Sequence, residues 1–267
     1  MRSFLLALQF LTVIPVRVHG DVTAVHIARS VGLYPLVGAV QGAIIASAAF
    51  PLAYAFPDDM AAALLLLLLI ATNAGFHLDG LSDTLDGMAV KSSGNREDDL
   101  ERRLAVMKKG PAGPMGAAGI TMALLLQYLG IHAVIEGVAG NVSHLVITLF
   151  LMPMLAKWSM AAAIAGAKSA RPDGLGNLVI EHAGKRELLM ALAIAAAFTV
   201  AGAIAAPKSL SPWMPLFPAL PYALAAGFRR CCNARFGGMT GDMFGALNEL
   251  AQTGYLLLAG AWLRHSA

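Results

Sequence analysis

The sequence predicts an all-α, polytopic integral membrane protein, and three observations predict it. Of the 267 residues, 58% are hydrophobic and 13% charged, and the mean hydropathy is +0.68, far from the composition of ordinary soluble domains. Several apolar runs reach the roughly 20 residues that a helix needs to cross about 30 Å of hydrocarbon. Lysine and arginine gather in alternate connections between those runs, the pattern that a chain crossing many times leaves in its loops.

Taken in order, the opening "MRSFLLALQFLTVIPVRVHG" sets a basic residue before a short apolar stretch, as a signal peptide does. It has no small-residue cleavage site and more membrane follows, so it is expected to remain as a short N-terminal interfacial or re-entrant helix. Spanning helices are expected near 31–55, 60–77, 115–130, 142–166, 187–206, 213–228 and 243–263, about seven in a single domain over the whole chain, 1–267. Residues 96–109 carry mixed charges with Leu100, Leu104 and Met107 on one face, which predicts a short surface helix, lying on the headgroups or acting as a lid. Cys231 and Cys232 are adjacent, where a bridge would be strained, so free thiols are expected.

The connections sort by charge. Residues 88–110 hold Lys91, Arg96, Arg102, Arg103, Lys108 and Lys109; the 167–186 link holds Lys168, Arg171, Lys185 and Arg186; a third basic stretch holds Arg229, Arg230 and Arg235. The intervening links at 57–59, 131–141 and 207–212 contain a single lysine. The positive-inside rule therefore places the three basic loops together in the cytoplasm, on a cytoplasmic (inner) membrane. A net charge of +3 without aromatic residues interleaved among the basic ones argues for membrane lipid or phosphate ligands, and no nucleic acid.

Against this background "GFHLDGLSDTLDGM", residues 75–88, stands out. At 100° per residue, Asp79, Asp83 and Asp86 fall within about 60° of one another on a helix, with Gly80 and Gly87 forming an adjoining strip. Three carboxylates on one face repel one another unless a cation sits among them. A second acidic face recurs in "FGGMTGDMFGALNELAQTGY", where Asp242 and Glu249 are seven residues apart and Thr240 precedes the first. Glu249 lies about two turns into an apolar span, where acids are costly. Oxygen ligands without a His or Cys pair suit Mg²⁺, which keeps some of its water and bridges phosphates.

These two segments, with "LALQFLTVIPV" and "GLYPLVGAVQGAI" ahead of them, resemble cobalamin synthase, the adenosylcobinamide-GDP ribazoletransferase family, over nearly the whole chain. The resemblance implies a membrane enzyme that joins α-ribazole, or its 5'-phosphate, to adenosylcobinamide-GDP with release of GMP, using Mg²⁺. On that reading the ribazole 5'-hydroxyl attacks the phosphorus attached to cobinamide, in line with departing GMP. Asp79, Asp83, Asp86 and Asp242 are the expected catalytic and metal residues. Lys108, Lys109, Thr240, Glu249, Lys157 and His77 are expected on the substrate, and the glycines of "GPAGPMG" would bring backbone N–H groups to the leaving phosphate.

Two of these carry open alternatives. His77 points about 160° from Asp79 on an ideal helix, so it joins the site only if the helix is distorted or starts late; otherwise it is an interface histidine. Lys157 answers either a phosphate or a carboxylate such as Glu249, or it snorkels beside Trp158. Asn73, Gln41 and Asn248 read as interhelical hydrogen-bond partners. Two other functions would use a similar composition. One is another Mg²⁺-dependent transferase acting on prenyl or phospholipid-headgroup diphosphates. The other is a transporter, whose signs would be repeated halves and interrupted helices; the sequence reading finds neither. Self-association as a homo-oligomer is left open.

Overall fold

The computed structural model describes residues 1–108, 110–138, 141–205 and 217–266. Lys109, the expected link at 207–212 and the first residues of the expected span 213–228 lie outside the described residues. Among those described, twelve helices and no strands are found. They are α1 (Arg2–Leu11), α2 (Ala24–Gly32), α3 (Tyr34–Ala55), α4 (Asp58–Ala71), α5 (Phe76–Ala89), α6 (Arg96–Val106), α7 (Pro114–Gly137), α8 (Val142–Ile164), α9 (Leu175–His182), α10 (Lys185–Ala205), α11 (Ala219–Phe236) and α12 (Gly241–Ser266).

Four of them, α3, α7, α8 and α10, are long and apolar enough to cross a membrane, and α4 with α5 makes a fifth if that bent pair is one span. This is a multi-pass membrane protein: four or five such spans are found by length and composition among the described residues, where the sequence reading expects about seven. The expected span at 243–263 is helical, and that at 213–228 is helical from Ala219 on, but α11 carries Arg229, Arg230 and Arg235, and α12 carries Asp242, Asn248, Glu249 and Gln252. Those side chains keep both helices below the apolarity of the other spans.

The bundle is built around α8, which packs on α3, α10, α11 and α12 and is buried along most of its length, from Leu151 to Ile164 without a break. Small residues set how closely the helices approach. A Cβ on Gly38 would stand 2.5 Å from the Pro153 carbonyl oxygen, and one on Gly42 would stand 2.1 Å from that of Phe150. The α3 and α8 backbones therefore touch, the arrangement that lets apolar helices gain dispersion contact without a hydrophobic driving force.

The sequence reading of one helix over 60–77 is corrected by the structure: the chain breaks after Ala71 and α5 leaves at 85° to α4. The cause is local. Asn73 Oδ1 accepts the Gly75 N–H at 2.9 Å, an Asx turn that competes with the helix, and Ala74 and Gly75 take positive φ, 52° and 73°. Asn73 is thus a turn residue. Gln41, as expected, bonds across helices, donating Nε2 to Thr72 Oγ1 at 2.8 Å. The N-terminal segment secures the break: Val13 N–H donates to the Thr72 carbonyl at 2.9 Å, and the rings of Phe10 and Phe76 meet edge to face at 5.7 Å. An interrupted helix is therefore present, where the sequence reading found none. Cys231 and Cys232 are free thiols.

The three basic loops converge. Ser169 pairs with Met239 in an isolated parallel bridge, Arg171 Nη2 donates to the Leu104 carbonyl at 2.8 Å, and Lys108 approaches Asp173 at 3.7 Å. The helix in the 88–110 loop forms as α6, with Met107 buried and Leu104 packed against the main core.

Candidate active site

The break at 72–75 decides how the acids are presented. It makes Phe76 the start of α5, so Asp79 sits in that helix's first turn, where the helix dipole favours a negative charge. A single helix running on from α4 would have put the same residue near a carbonyl end. Asp79 is exposed, while Asp83 and Asp86 are half-buried.

α5 crosses α12 in close contact, and glycines make the crossing possible. A Cβ on Gly80 would lie 2.4 Å from the Asp242 carbonyl oxygen. On the other helix, a Cβ on Gly245 would lie 3.2 Å from the His77 Cα. This contact brings the two acidic segments together: Asp83 is within electrostatic reach of Asp79, Asp242, Asp86 and Arg171. The glycines around Asp242 have a related purpose. A Cβ on Gly238 would meet the Lys168 carbonyl at 2.5 Å, and one on Gly176 would meet the Gly241 nitrogen at 2.5 Å, so the turn before α12 is pressed against both the 168–170 segment and the start of α9.

Arg171 is the residue that sequence reasoning missed as part of the site. Its Nη1 lies 3.8 Å from Asp242 Oδ2, its Nη2 is held by the Leu104 carbonyl, and its Nε is buried without a hydrogen-bond partner. One guanidinium thus ties α6 to α12 beside the carboxylates and keeps an N–H unmatched. Thr240 Oγ1 donates to Asp242 Oδ2 at 3.3 Å, which fixes that carboxylate from the turn side.

Asp86 has a defined structural engagement. Its Oδ2 accepts the Gly113 N–H at 2.6 Å and its Oδ1 the Gly116 N–H at 2.8 Å. It therefore caps the start of α7, satisfying amides that otherwise have no partner in a first turn. The glycine amides expected on a phosphate are turned onto Asp86. Lys108 pairs with Asp173 at the rim, both side chains more than half exposed.

The remaining expected residues lie deeper, in a buried polar chain. Lys157 Nζ donates to Asn248 Oδ1 at 2.8 Å, Asn248 Nδ2 donates to Glu249 Oε1 at 3.0 Å, and Gln127 Nε2 donates to Glu249 Oε2 at 2.8 Å and to Thr253 Oγ1 at 3.2 Å. Lys157 has no exposed surface and Glu249 only 4%. These two answer each other through Asn248, locking α8, α12 and α7 together beneath the site. His77 is fully buried at the α5–α12 crossing, and neither ring nitrogen has a hydrogen-bond partner. The structure therefore gathers Asp79, Asp83, Asp86, Asp242 and Thr240 at one place, with Lys108 nearby through the Asp173 loop. It sets His77, Lys157 and Glu249 in the packed interior.

Among the described residues no three His, Cys, Asp or Glu side chains close into a ready-made metal cage. The donors that converge are all carboxylate oxygens from two helices, with an open side toward Asp79. That set fits a hard cation which completes its shell with water and substrate phosphates, as Mg²⁺ does.

A family model described as cobalamin-5-phosphate synthase matches residues 3–260. An adenosylcobinamide-GDP ribazoletransferase of Geotalea daltonii is 35% identical, over 94% of this chain and 93% of its own length. A protein of the same name from Pseudomonas aeruginosa PAO1 is 36% identical over 96% of this chain and 97% of its own, and one from Syntrophobacter fumaroxidans is 34% identical over 96% of each. No solved structure matches the chain. With both acidic segments inside a match that runs almost end to end, the chain belongs to the cobalamin-5-phosphate synthase family.

Proposed function

We propose that the protein is an adenosylcobinamide-GDP ribazoletransferase, a Mg²⁺-dependent phosphotransferase of the cytoplasmic membrane whose active site faces the cytoplasm. The observation that carries this reading is the crossing of α5 and α12 at Gly80, which sets Asp79 and Asp83 beside Asp242 and Arg171. The relatives' names supply the substrates.

The transfer exchanges one phosphorus–oxygen bond for another. A ribazole hydroxyl oxygen attacks the phosphorus attached to cobinamide, the bond from that phosphorus to the bridging diphosphate oxygen breaks, and GMP leaves with that oxygen. The product is a phosphodiester between cobinamide and ribazole. The 5'-hydroxyl of the sequence reading must be replaced here: an acceptor phosphorylated at its 5' oxygen has no such hydroxyl, so the nucleophile common to both acceptors is a secondary ribose hydroxyl.

Each residue then has a task that follows from its place. Asp79, Asp83 and Asp242 would hold Mg²⁺, and the ion, when bound, offsets the charge of the diphosphate. Arg171, with its unmatched Nε and its planar fork, is placed for a phosphate oxygen. A carboxylate of the cluster takes the proton from the attacking hydroxyl. Asp86 acts by positioning: it holds the start of α7 against α5. The buried chain from Lys157 to Gln127 keeps the three helices below the site in register.

The test is direct. The protein in lipid nanodiscs is incubated with adenosylcobinamide-GDP, α-ribazole and Mg²⁺, and GMP and the cobalamin product are followed together. Equal amounts of both, dependent on both substrates, are expected. GMP at the level of a substrate-omitted control would overturn the proposal. Release of a prenyl or headgroup product from the corresponding diphosphates would favour the other transferase class.

A further inference from the structure

A second polar site lies on the other side of α6. A cavity of about 300 Å³ opens between the 92–95 turn, the first turns of α6 and the end of α11, and its wall includes Ser92, Arg96, Asp99, Arg103 and Arg235. None of the carboxylates at the α5–α12 crossing lines it.

Its chemistry is incomplete as it stands. Arg103 is only 4% exposed, yet its Nε and Nη1 have no hydrogen-bond partner. The nearby carboxylate is engaged elsewhere: Asp99 Oδ1 accepts the Ser93 N–H at 2.6 Å, and Oδ2 accepts the Ser92 hydroxyl. These two bonds, the Ser92 one foremost, hold the Asp99 carboxyl below its ordinary pKa range, so it stays ionised and bound to the turn. Arg96 and Arg235 are exposed at the mouth, and the ion pairs of the described residues, Arg102 with Asp98, Lys108 with Asp173 and Arg171 with Asp242, include none of the three cavity arginines. Three guanidinium groups thus face one space against a single carboxylate. A guanidinium buried with two N–H groups unmatched is costly, and the ligand that relieves it is an anion with several oxygens in a compact, forked arrangement.

We infer that this cavity is a phosphate-binding site, separate from the transfer site, in which Arg103 is the buried anchor and Arg96 and Arg235 close over the ligand. The ligand is a phosphate group, carried by an anionic lipid headgroup or by a soluble phosphate compound. Occupancy has a route to the carboxylates that needs no contact with them. Arg103 lies one residue before Leu104, whose carbonyl holds Arg171, and the Arg103 carbonyl borders Gly87 of α5. A filled cavity would brace α6, and with it the guanidinium beside Asp242. The inference stands independently of the transfer chemistry.

The experiment compares three forms of the full chain in nanodiscs at constant ionic strength, in chloride salts. They are the wild type, the surface double variant Arg96→Gln/Arg235→Gln, and a control of equal charge change away from the cavity, Lys185→Gln/Arg186→Gln. Tm is followed with inorganic phosphate in phosphatidylcholine discs, and separately in discs containing phosphatidylglycerol; native mass spectrometry counts retained lipid. The wild type and control should gain Tm in one arm, and the arm identifies the source. The cavity variant should need about tenfold more phosphate or anionic lipid for the same gain. Arg103→Gln, if it folds, should lose the response. A gain in all forms alike, or in none, would overturn the inference.

Discussion

At the scale of single residues, Arg171 shows how one side chain can join two loops to a site. Its guanidinium spans from the Leu104 carbonyl to the Asp242 carboxylate, a reach that depends on a planar fork with several donors. Arg171→Lys keeps the charge but has one ammonium for two directions. We expect it to lower kcat/KM by about 10- to 100-fold, a loss larger than the accompanying fall in Tm explains, while membrane insertion stays near wild type. Steady-state GMP release checks this, and an unchanged rate would remove Arg171 from the site. The residue was not legible from sequence because a loop arginine among Lys168, Lys185 and Arg186 has no periodic signal. It is picked out by contacts with Leu104 and Asp242, about seventy residues away on either side, of the kind that local pattern does not carry. Asp79, Asp83 and Asp86 were legible, because helical spacing alone puts them on one face. The engagement of Asp86 by Gly113 and Gly116 was not, for the same reason as Arg171: its partners come from another helix.

At the scale of elements, the governing features are the break between α4 and α5 and the crossing of α5 with α12. Continuous hydropathy up to Ala71 reads as one helix. The turn after it rests on a single side-chain hydrogen bond from Asn73 and two residues of positive φ, signals that are also compatible with an interhelical asparagine. The crossing was more accessible, because Gly80 and Gly245 lie beside the acids on their own helices. Gly80→Ala tests it. Its Cβ would stand 2.4 Å from the Asp242 carbonyl oxygen, with backbone rather than a movable side chain opposite. The helices must separate, at a cost of about 1–3 kcal/mol typical of overpacking. The expected result is a lower Tm and a loss of GMP release larger than the stability change explains, because Asp242 moves away from Asp83. Gly254→Ala on α12, where a Cβ meets nothing within 4 Å, should behave as wild type.

At the scale of the whole molecule, charge and packing agree on one face. The three basic loops that the sequence assigns to a common side are joined in the structure by the Arg171, Lys108 and Ser169 contacts, and the acids lie where they meet. The positive-inside rule supports the proposed cytoplasmic orientation of that face. In intact cells, single cysteines at Arg96 and Arg186, in a background with Cys231 and Cys232 replaced by serine, should react with thiol reagents only after the inner membrane is made permeable. A cysteine at Asp58, at the opposite ends of the spans, should react without that treatment; the reverse pattern would turn the site outward. The spanning character of the last two helices was the least legible quantity at this scale. α11 and α12 are helical as expected, but α11 ends on Arg229, Arg230 and Arg235 and α12 buries Asn248, Glu249 and Gln252, so hydropathy does not mark either among the most apolar spans.

The central claim is that the acids of α5 and α12 form one Mg²⁺-dependent site. It is tested most directly by the Mg²⁺ dependence of GMP release in wild type, Asp83→Asn, Asp242→Asn and the double variant. If the residues act as a unit, chelation abolishes wild-type turnover, each single variant loses at least about 100-fold in kcat/KM, and the double variant is scarcely worse than the poorer single one. Turnover that survives chelation, or near-wild-type rates in either single variant, would contradict the account.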